Sequence, residues 1–278
     1  MVPDRLQLQR LELKYIIREE TALEIRNFVN SYLEIDEYGA LRANLSYPVH
    51  SLYLDSDDLR IYWGTINGNK NRYKLRLRFY ENQPKAPVYF EIKRRMNDAI
   101  LKQRGAVKRE AVEAILGGQY PSFDMMVSDE PKHLVAVQRF CELMTANNAK
   151  PKAHVAYLRE AYLNQGNNSV RVTLDRQVRC CPEPTTRLVA EMDNPVYPFG
   201  DNVVLELKFT GRYPDWFRDL VHSFGLTQCS AAKYVDGVAV AGEDRFSPMR
   251  YVLPEEAFAG DNLAVRKMFL EKLQFGEK

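Results

Sequence analysis

The sequence predicts an α+β fold built on antiparallel strands, and three observations carry that reading. At least six segments alternate ionic with apolar residues at the period of two that a strand imposes. Between them lie segments whose apolar residues recur at helical spacing. The run Asn164-Gln165-Gly166-Asn167-Asn168 is a hairpin turn between two of the alternating segments.

Taken in order, Gln9 to Tyr15 sets Arg10, Glu12 and Lys14 on one face and Leu11, Leu13 and Tyr15 on the other. Glu20 to Leu33 is helical, with apolar residues at 22, 25, 28, 29, 32 and 33. Asp57 and Asp58 are placed to cap a short helix holding Tyr62 and Trp63. The strand Arg72 to Tyr80 is the most informative. Arg72, Lys74, Arg76 and Arg78 share one face, and Tyr73, Leu75, Leu77 and Phe79 the other. Val88 to Arg94 opposes Tyr89, Glu91 and Lys93 to Val88, Phe90 and Ile92. Helices follow over Val107 to Leu116 and Glu130 to Thr145. Lys152 to Tyr162 carries Tyr157 and Arg159 on one parity, and Ser169 to Asp175 carries Arg171, Thr173 and Asp175. Leu188 to Asp193 is expected as a strand bearing Glu191, and Val203 to Phe209 as one bearing Glu206 and Lys208. Pro214 opens a helix that Gly225 closes, and Ser230 to Tyr234 reads by itself as a surface turn. Asp261 to Leu273 is expected as a final amphipathic helix on the outside. With no repeat or linker, residues 1–278 form one domain, with about 245–278 as its C-terminal helical extension.

Bulk composition narrows the function. A hydrophobic share of 45% is ample for a core. The balance of 39 basic against 37 acidic residues excludes coating of a polyanion by the whole surface, so any cationic site is local. The cysteines at 141, 180, 181 and 229 lack metal-finger spacing and read as reduced thiols. Neither a signal core nor an apolar run of roughly 20 residues is present, which predicts a soluble, cytoplasmic protein without a membrane span.

The apolar faces suit the amphipathic helices. The ionic faces leave two architectures open, an antiparallel sheet with one solvated face or a closed barrel with a polar lumen and helices outside. On these faces cations outnumber carboxylates. Arginine forks bind phosphate oxygens bidentately and lysines supply point charge, while carboxylates on the same surface suit Mg²⁺ or Mn²⁺. Solvated strand faces with incidental ion pairs are the competing account. The four histidines share no ligand spacing, and no Gly-x-x-x-x-Gly-Lys-Ser/Thr loop or Gly-x-Ser-x-Gly elbow occurs.

At Arg10-Leu-Glu-Leu-Lys-Tyr15, Arg72-Tyr-Lys-Leu-Arg-Leu-Arg78, Phe90-Glu-Ile-Lys93, Lys102-Gln-Arg104, Tyr157-Leu-Arg159, Arg171-Val-Thr-Leu-Asp175, Leu205-Glu-Leu-Lys208 and Ser230-Ala-Ala-Lys-Tyr234 the sequence resembles the vacuolar transporter chaperone (VTC) catalytic domain, or polyphosphate polymerase domain, of the triphosphate tunnel metalloenzyme superfamily. The resemblance covers roughly residues 8–240, in family order. It implies a closed antiparallel eight-stranded barrel. Lys14, Arg76, Arg78, Lys93, Arg104, Arg159, Arg171 and Lys233 would grip phosphates, with Ser230 touching them. Lys74 and Lys208, on the same ionic faces, are further substrate-binding candidates. Glu206, with Glu12 second, would hold Mn²⁺ or Mg²⁺. Arg10 stands where the hydrolase and cyclase branches carry a first glutamate, which resembles the polymerase branch.

Three functions follow as expectations. The first is transfer of the ATP γ-phosphoryl group onto a polyphosphate chain. The second is hydrolysis of a triphosphate, with Glu12, Glu91 or Glu191 as base. The third is non-catalytic binding of polyphosphate or an inositol pyrophosphate. ATP and polyphosphate are the expected partners. Nucleic acid is not, because Tyr73 and Phe79 lie opposite the arginines, away from any stacking platform. A membrane-protein partner is compatible with the sequence.

Overall fold

The computed structural model describes residues 10–80, 82–97, 99–164 and 169–248. The expected helix over Asp261 to Leu273, most of the 245–278 extension and the tip of the Asn164–Asn168 turn lie outside the described residues. Nine strands form one antiparallel sheet: β1 (Arg10–Ile17), β2 (Glu34–Ile35), β3 (Tyr47–Asp55), β4 (Asn71–Phe79), β5 (Val88–Met96), β6 (Ala99–Val107), β7 (Lys150–Leu163), β8 (Val170–Pro182) and β9 (Val203–Thr210). The helices are α1 (Glu19–Val29), α2 (Glu37–Ala40), α3 (Arg60–Ile66), α4 (Val112–Leu116), α5 (Pro131–Ala146), α6 (Asp215–Ser223) and α7 (Lys233–Ala241). None among the described residues is long and apolar enough to cross a membrane.

The strand order is β7-β3-β4-β5-β6-β1-β9-β8, with β7 also paired to β8, so the sheet curls back toward its start. The short β2 extends β7 alone. Full closure into a barrel, as expected, is not shown. Among the described residues β1 and β6 share one residue pair, Arg10↔Ile100, while β1 pairs with β9 along its whole length. The β1–β6 register would carry further pairing to positions before Arg10, outside the described residues; on β6, Lys102 and Arg104 are 41% and 48% exposed.

Apolar strand faces turn outward and are covered as their periodicity requires. Phe90, Ile92, Leu75 and Leu77 pack under Val137 and Phe140 of α5. Val172, Leu205 and Leu207 pack under Ile25 of α1 and Phe217 and Leu220 of α6. Helix α5 lies so close to β6 that a Cβ on Gly105 would fall 2.4 Å from the His133 carbonyl oxygen. A third apolar cluster joins Tyr53, Tyr62, Val155 and Val178 to Tyr234, Val235 and Val238 of α7.

Three local expectations are corrected. Leu188–Asp193 is not a strand. It lies between prolines 184 and 195, and its Ala190 N–H donates to the side chain of Asn82 at 2.8 Å instead of to a ladder. Asp57 and Asp58 do not cap α3. The buried Asp55 carboxylate at the end of β3 does, accepting from the Ile61 and Tyr62 N–H groups and from the Tyr234 hydroxyl. Ser230 to Tyr234 is not a surface turn, because Lys233 and Tyr234 are buried and open α7. Tyr234 stacks on Tyr53 with ring centroids 4.8 Å apart. Gly237 lets α7 reach β8, since a Cβ there would lie 2.5 Å from the Cys180 Sγ.

Candidate functional site

The ionic parities converge. One cavity of about 770 Å³ is lined by Lys14 and Glu12 of β1, Lys74, Arg76 and Arg78 of β4, Lys93 of β5 and Arg104 of β6. Arg159 of β7, Arg171 of β8, Glu206 and Lys208 of β9, Ser230, and Lys233 at the start of α7 line it as well. Every phosphate- and metal-binding candidate named from the sequence is thus on one surface, whereas the candidate bases Glu91 and Glu191 are not in its lining. Arg72, Arg95 and Lys102 join them, giving, among the described residues, thirteen cations against two glutamates and no histidine in the lining. Glu191, counted with the ionic faces, lies elsewhere, beside Asn82.

Strand register sorts these side chains into two walls. On β1–β9 charges of opposite sign face each other, while on β9–β8 Arg171 stands opposite Lys208. Lys14 stands opposite Glu206, Glu12 opposite Lys208, and Arg159 of β7 opposite Asp175. Glu206 collects Lys233 at 2.8 Å, Arg159 at 3.4 Å, Lys14 at 3.5 Å, and Lys208. Lys233 also meets the buried Asp175 at 2.7 Å, and Arg159 binds that carboxylate through two nitrogens at 2.7 Å each. Burial opposes ionisation of Glu206, but Lys208, Lys233 and Lys14 outweigh it and hold the carboxylate well below the usual range. Glu12 is likewise depressed, against burial, by Lys93 and Lys14.

On β4–β5–β6 the rows run differently. Arg76, Glu91 and Arg104 form one row, Lys74, Lys93 and Lys102 the next, and Arg72 and Arg95 the last before the hairpin end. Glu91 is fully buried behind the cations and meets Lys102 at 2.6 Å and Arg76 at 2.7 Å, with Arg78 and Arg104 each at 3.9 Å. Lys93 finds its partner on β1, 2.9 Å away at Glu12. The Lys74 ammonium makes no hydrogen bond or ion pair among the described residues. Burial, then Lys14 and Lys93, push its ammonium down to about 7. Lys102 is also pushed to about 7 by enclosure, with Glu91 opposing, and Lys208 on the other wall reaches about 7 through burial although Glu206 opposes.

Two phenols complete the surface. Tyr53 accepts from Arg76 at 3.0 Å and Tyr157 from Arg78 at 3.0 Å. Burial would raise the Tyr53 hydroxyl, but Arg76 and Arg78 bring it below its ordinary value. Sequence reasoning passed over Tyr53 and did not count Tyr157 among the site residues, though both share the inward parity of their strands. The signal was the parity itself, followed only through charged residues. The paired imidazoles His50 and His154, 3.1 Å apart, face outward and are buried against Phe79.

A divalent ion finds hard oxygen donors here in Glu12 and Glu206. The Lys14 ammonium already bridges them, 3.3 Å from one and 3.5 Å from the other. Among the described residues no three His, Cys, Asp or Glu side chains are grouped to hold a metal. Two carboxylates leave most of a six-oxygen shell to phosphate and water. The donor set therefore fits an ion that arrives with a phosphate ligand.

Fold and cavity define an α+β protein whose curled antiparallel sheet encloses a cation-lined space. The chain belongs to the VTC domain family, whose profile matches residues 9–241. It is 24% identical over 282 residues to vacuolar transporter chaperone complex subunit 4 of Schizosaccharomyces pombe, covering 88% of this chain and 39% of that protein. It is 22% identical over 298 residues to subunit 2 of the same complex, covering 91% and 40%. The chain thus spans about two fifths of the length of these curated relatives. Among solved structures, a candidate adenylate cyclase of Bacillus halodurans superposes with a TM-score of 0.44 at 15% identity, covering 81% of this chain and 94% of that one.

Proposed function

We propose that this domain is a metal-dependent polyphosphate polymerase that transfers the γ-phosphoryl group of ATP to the end of an inorganic polyphosphate chain. The observation that carries the reading is the excess, among the described residues, of thirteen cations over two carboxylates on one cavity surface without an imidazole. A terminal oxygen of the acceptor forms the new bond to the γ-phosphorus as the bond to the bridging oxygen of ADP breaks. The acceptor oxygen is already anionic, so no base is required, and positioning with charge neutralisation carries the reaction. Arg76, Arg78, Lys93, Arg104, Lys14 and Lys233 would grip the reacting phosphates. Lys74, Arg159, Arg171, Lys208 and Ser230 would hold the rest of the chain. Glu206 and Glu12 would hold Mn²⁺ or Mg²⁺, which would supply Lewis-acid charge at phosphate oxygens.

Hydrolysis fits less well. Glu12 and Glu206 are held too acidic to accept a proton from water efficiently, and Glu91 is buried behind cations. Binding without turnover is favoured by one observation, the engagement of both Glu206 oxygens by cations. The relatives' names place them in a complex, so partner subunits and a cytoplasmic setting belong to the same proposal. Purified protein with ATP and Mn²⁺, followed by phosphorus NMR, should show internal chain phosphates and ADP. Orthophosphate alone would identify a triphosphatase, and unchanged ATP with tight tripolyphosphate binding would identify a binder.

A further inference from the structure

A set of tyrosines stands at the end of the cavity where β4 leaves and β5 enters, and the phosphate chemistry above uses none of them. Tyr80 follows Arg78 by two residues, just past β4, and lines the cavity together with Tyr47. Across the ladders Tyr47 stands opposite Arg159, and Tyr89 opposite Arg78. Tyr38 of α2, 60% exposed, carries the set out to solvent. Ring centroids are 5.6 Å apart for Tyr38 and Tyr47, 6.4 Å for Tyr47 and Tyr80, and 6.0 Å for Tyr80 and Tyr89, so the four rings form one continuous arc. Each contact is tilted or edge-on, with interplanar angles of 58°, 54° and 77°. Elsewhere this molecule stacks aromatic rings in parallel, at 12° for Tyr53 on Tyr234 and 3° for Tyr32 on Trp216. The arc therefore does not use up its ring faces on one another. Cations border it directly. The Arg104 guanidinium lies 4.6 Å over the Tyr89 ring, and the Tyr47 hydroxyl donates to Asp36 at 2.8 Å beside Arg171.

From this arrangement we infer that the Tyr38–Tyr47–Tyr80–Tyr89 arc is a nucleobase subsite, which stacks the base of a nucleoside triphosphate at this end of the cavity while Arg78, Arg104 and Arg159 hold its phosphates. The inference rests on the phosphate-binding reading above and deepens it by assigning what lies beyond the phosphates. A planar base joined through a ribose to a row of phosphates needs rings and cations in that order along one surface. The chain supplies that order, with Arg76, Arg78 and Tyr80 at successive positions of one parity, all lining the cavity. At about 3.4 Å per residue, Tyr80 stands roughly 7 Å beyond Arg78, a separation that a ribose spans. Stacking uses the π-face that every base has, so the subsite binds the base without reading its hydrogen-bonding edge.

The test is equilibrium binding of two probes, the non-hydrolysable β,γ-imido analogue of ATP and tripolyphosphate, each with Mg²⁺, to the wild type and to the double variant Tyr38→Ala/Tyr80→Ala by titration calorimetry. Thermal unfolding confirms that the variant is folded. If it is not, Tyr38→Ala alone, at an exposed position, takes its place with an expected loss of about threefold. In the double variant the affinity for the ATP analogue should fall about tenfold, the loss of one stacked base. Tripolyphosphate, which has no base, should stay within about twofold of wild type. Tyr38→Phe/Tyr80→Phe keeps the rings and should bind both probes as the wild type does. Undiminished binding of the ATP analogue, or an equal loss for both probes, overturns the base subsite while leaving the phosphate cavity standing. A wild-type protein that binds neither probe overturns both.

Discussion

The two walls of the cavity use the same residue types to opposite effect. On β1–β9 Lys14 faces Glu206 and Lys208 faces Glu12, and on β8 Arg171, which stands opposite Lys208, is met instead by Asp36 at 3.1 Å. That wall is stable without a ligand, because its charges are compensated before any anion arrives. On β4–β5–β6 three lysines stand in one row and two arginines in the next, with Glu91 as the compensating carboxylate behind them. That wall keeps net positive charge in an enclosed space, at a cost that an anionic ligand would offset. The difference separates a scaffold that orients cations from a surface that holds an excess of positive charge.

The comparison is broken most severely by removing a cation from the β4–β5–β6 wall. Arg76→Ala or Lys93→Ala should lower polymer synthesis by about 10²–10³-fold with the fold retained, measured as the initial rate of ADP release. A variant with full activity removes that residue from the site. On the compensated wall, Glu206→Gln should leave Lys14, Lys208 and Lys233 facing one another. Breaking such a buried set costs about 3–5 kcal/mol, a fall in Tm on the order of 10 °C, and tripolyphosphate should restore more of it than it adds to the wild type. An unchanged Tm by calorimetry would mean that the wall does not depend on self-compensation. A smaller effect of opposite sign is expected behind the other wall. Glu91→Gln deletes an internal competitor for Arg76, Arg78 and Lys102, so tripolyphosphate should bind about three- to tenfold more tightly by titration calorimetry. Weaker binding would show that Glu91 acts by holding those cations in place.

The smallest effect is in pH. Lys74 and Lys102 titrate near 7 in the folded protein and near 10.4 when unfolded. Between these values the unfolded chain holds protons that the folded one has shed, so these two groups make stability rise with pH from about 7 to 10. Anion binding moves the other way and weakens as their charge is lost. Lys74→Arg, which stays charged, should reduce the decline in tripolyphosphate affinity between pH 6.5 and 9 by about half. An identical decline in both proteins would take Lys74 out of the binding surface.

Much of this molecule was legible from local pattern. The period of two over Arg72–Phe79, Val88–Arg94 and Val203–Phe209 placed every cation and carboxylate on its correct face, because side-chain direction along a strand is fixed by its own backbone. Where the pattern misled, a non-local partner decided. Leu188–Asp193 alternates like a strand but its Ala190 N–H is taken by the Asn82 side chain instead of a ladder, and Asp57 and Asp58 yielded the α3 cap to Asp55 because only Asp55 is buried against Tyr234. Helix α7 was hidden by valines and Gly237, residues that weaken helical propensity but let it pack against β8.

By itself, then, the chain determined its strands, their two chemical faces and the identities of the cations, all consequences of interactions spanning a few residues. Tertiary structure alone decided that those faces meet around a cavity, that Lys233 enters it from a helix, and that Lys74, Lys93 and Lys102 stand side by side in one row. Register between distant strands, set by how α1, α5 and α6 cover the outer faces, governs which charges meet, and no period within one segment encodes that.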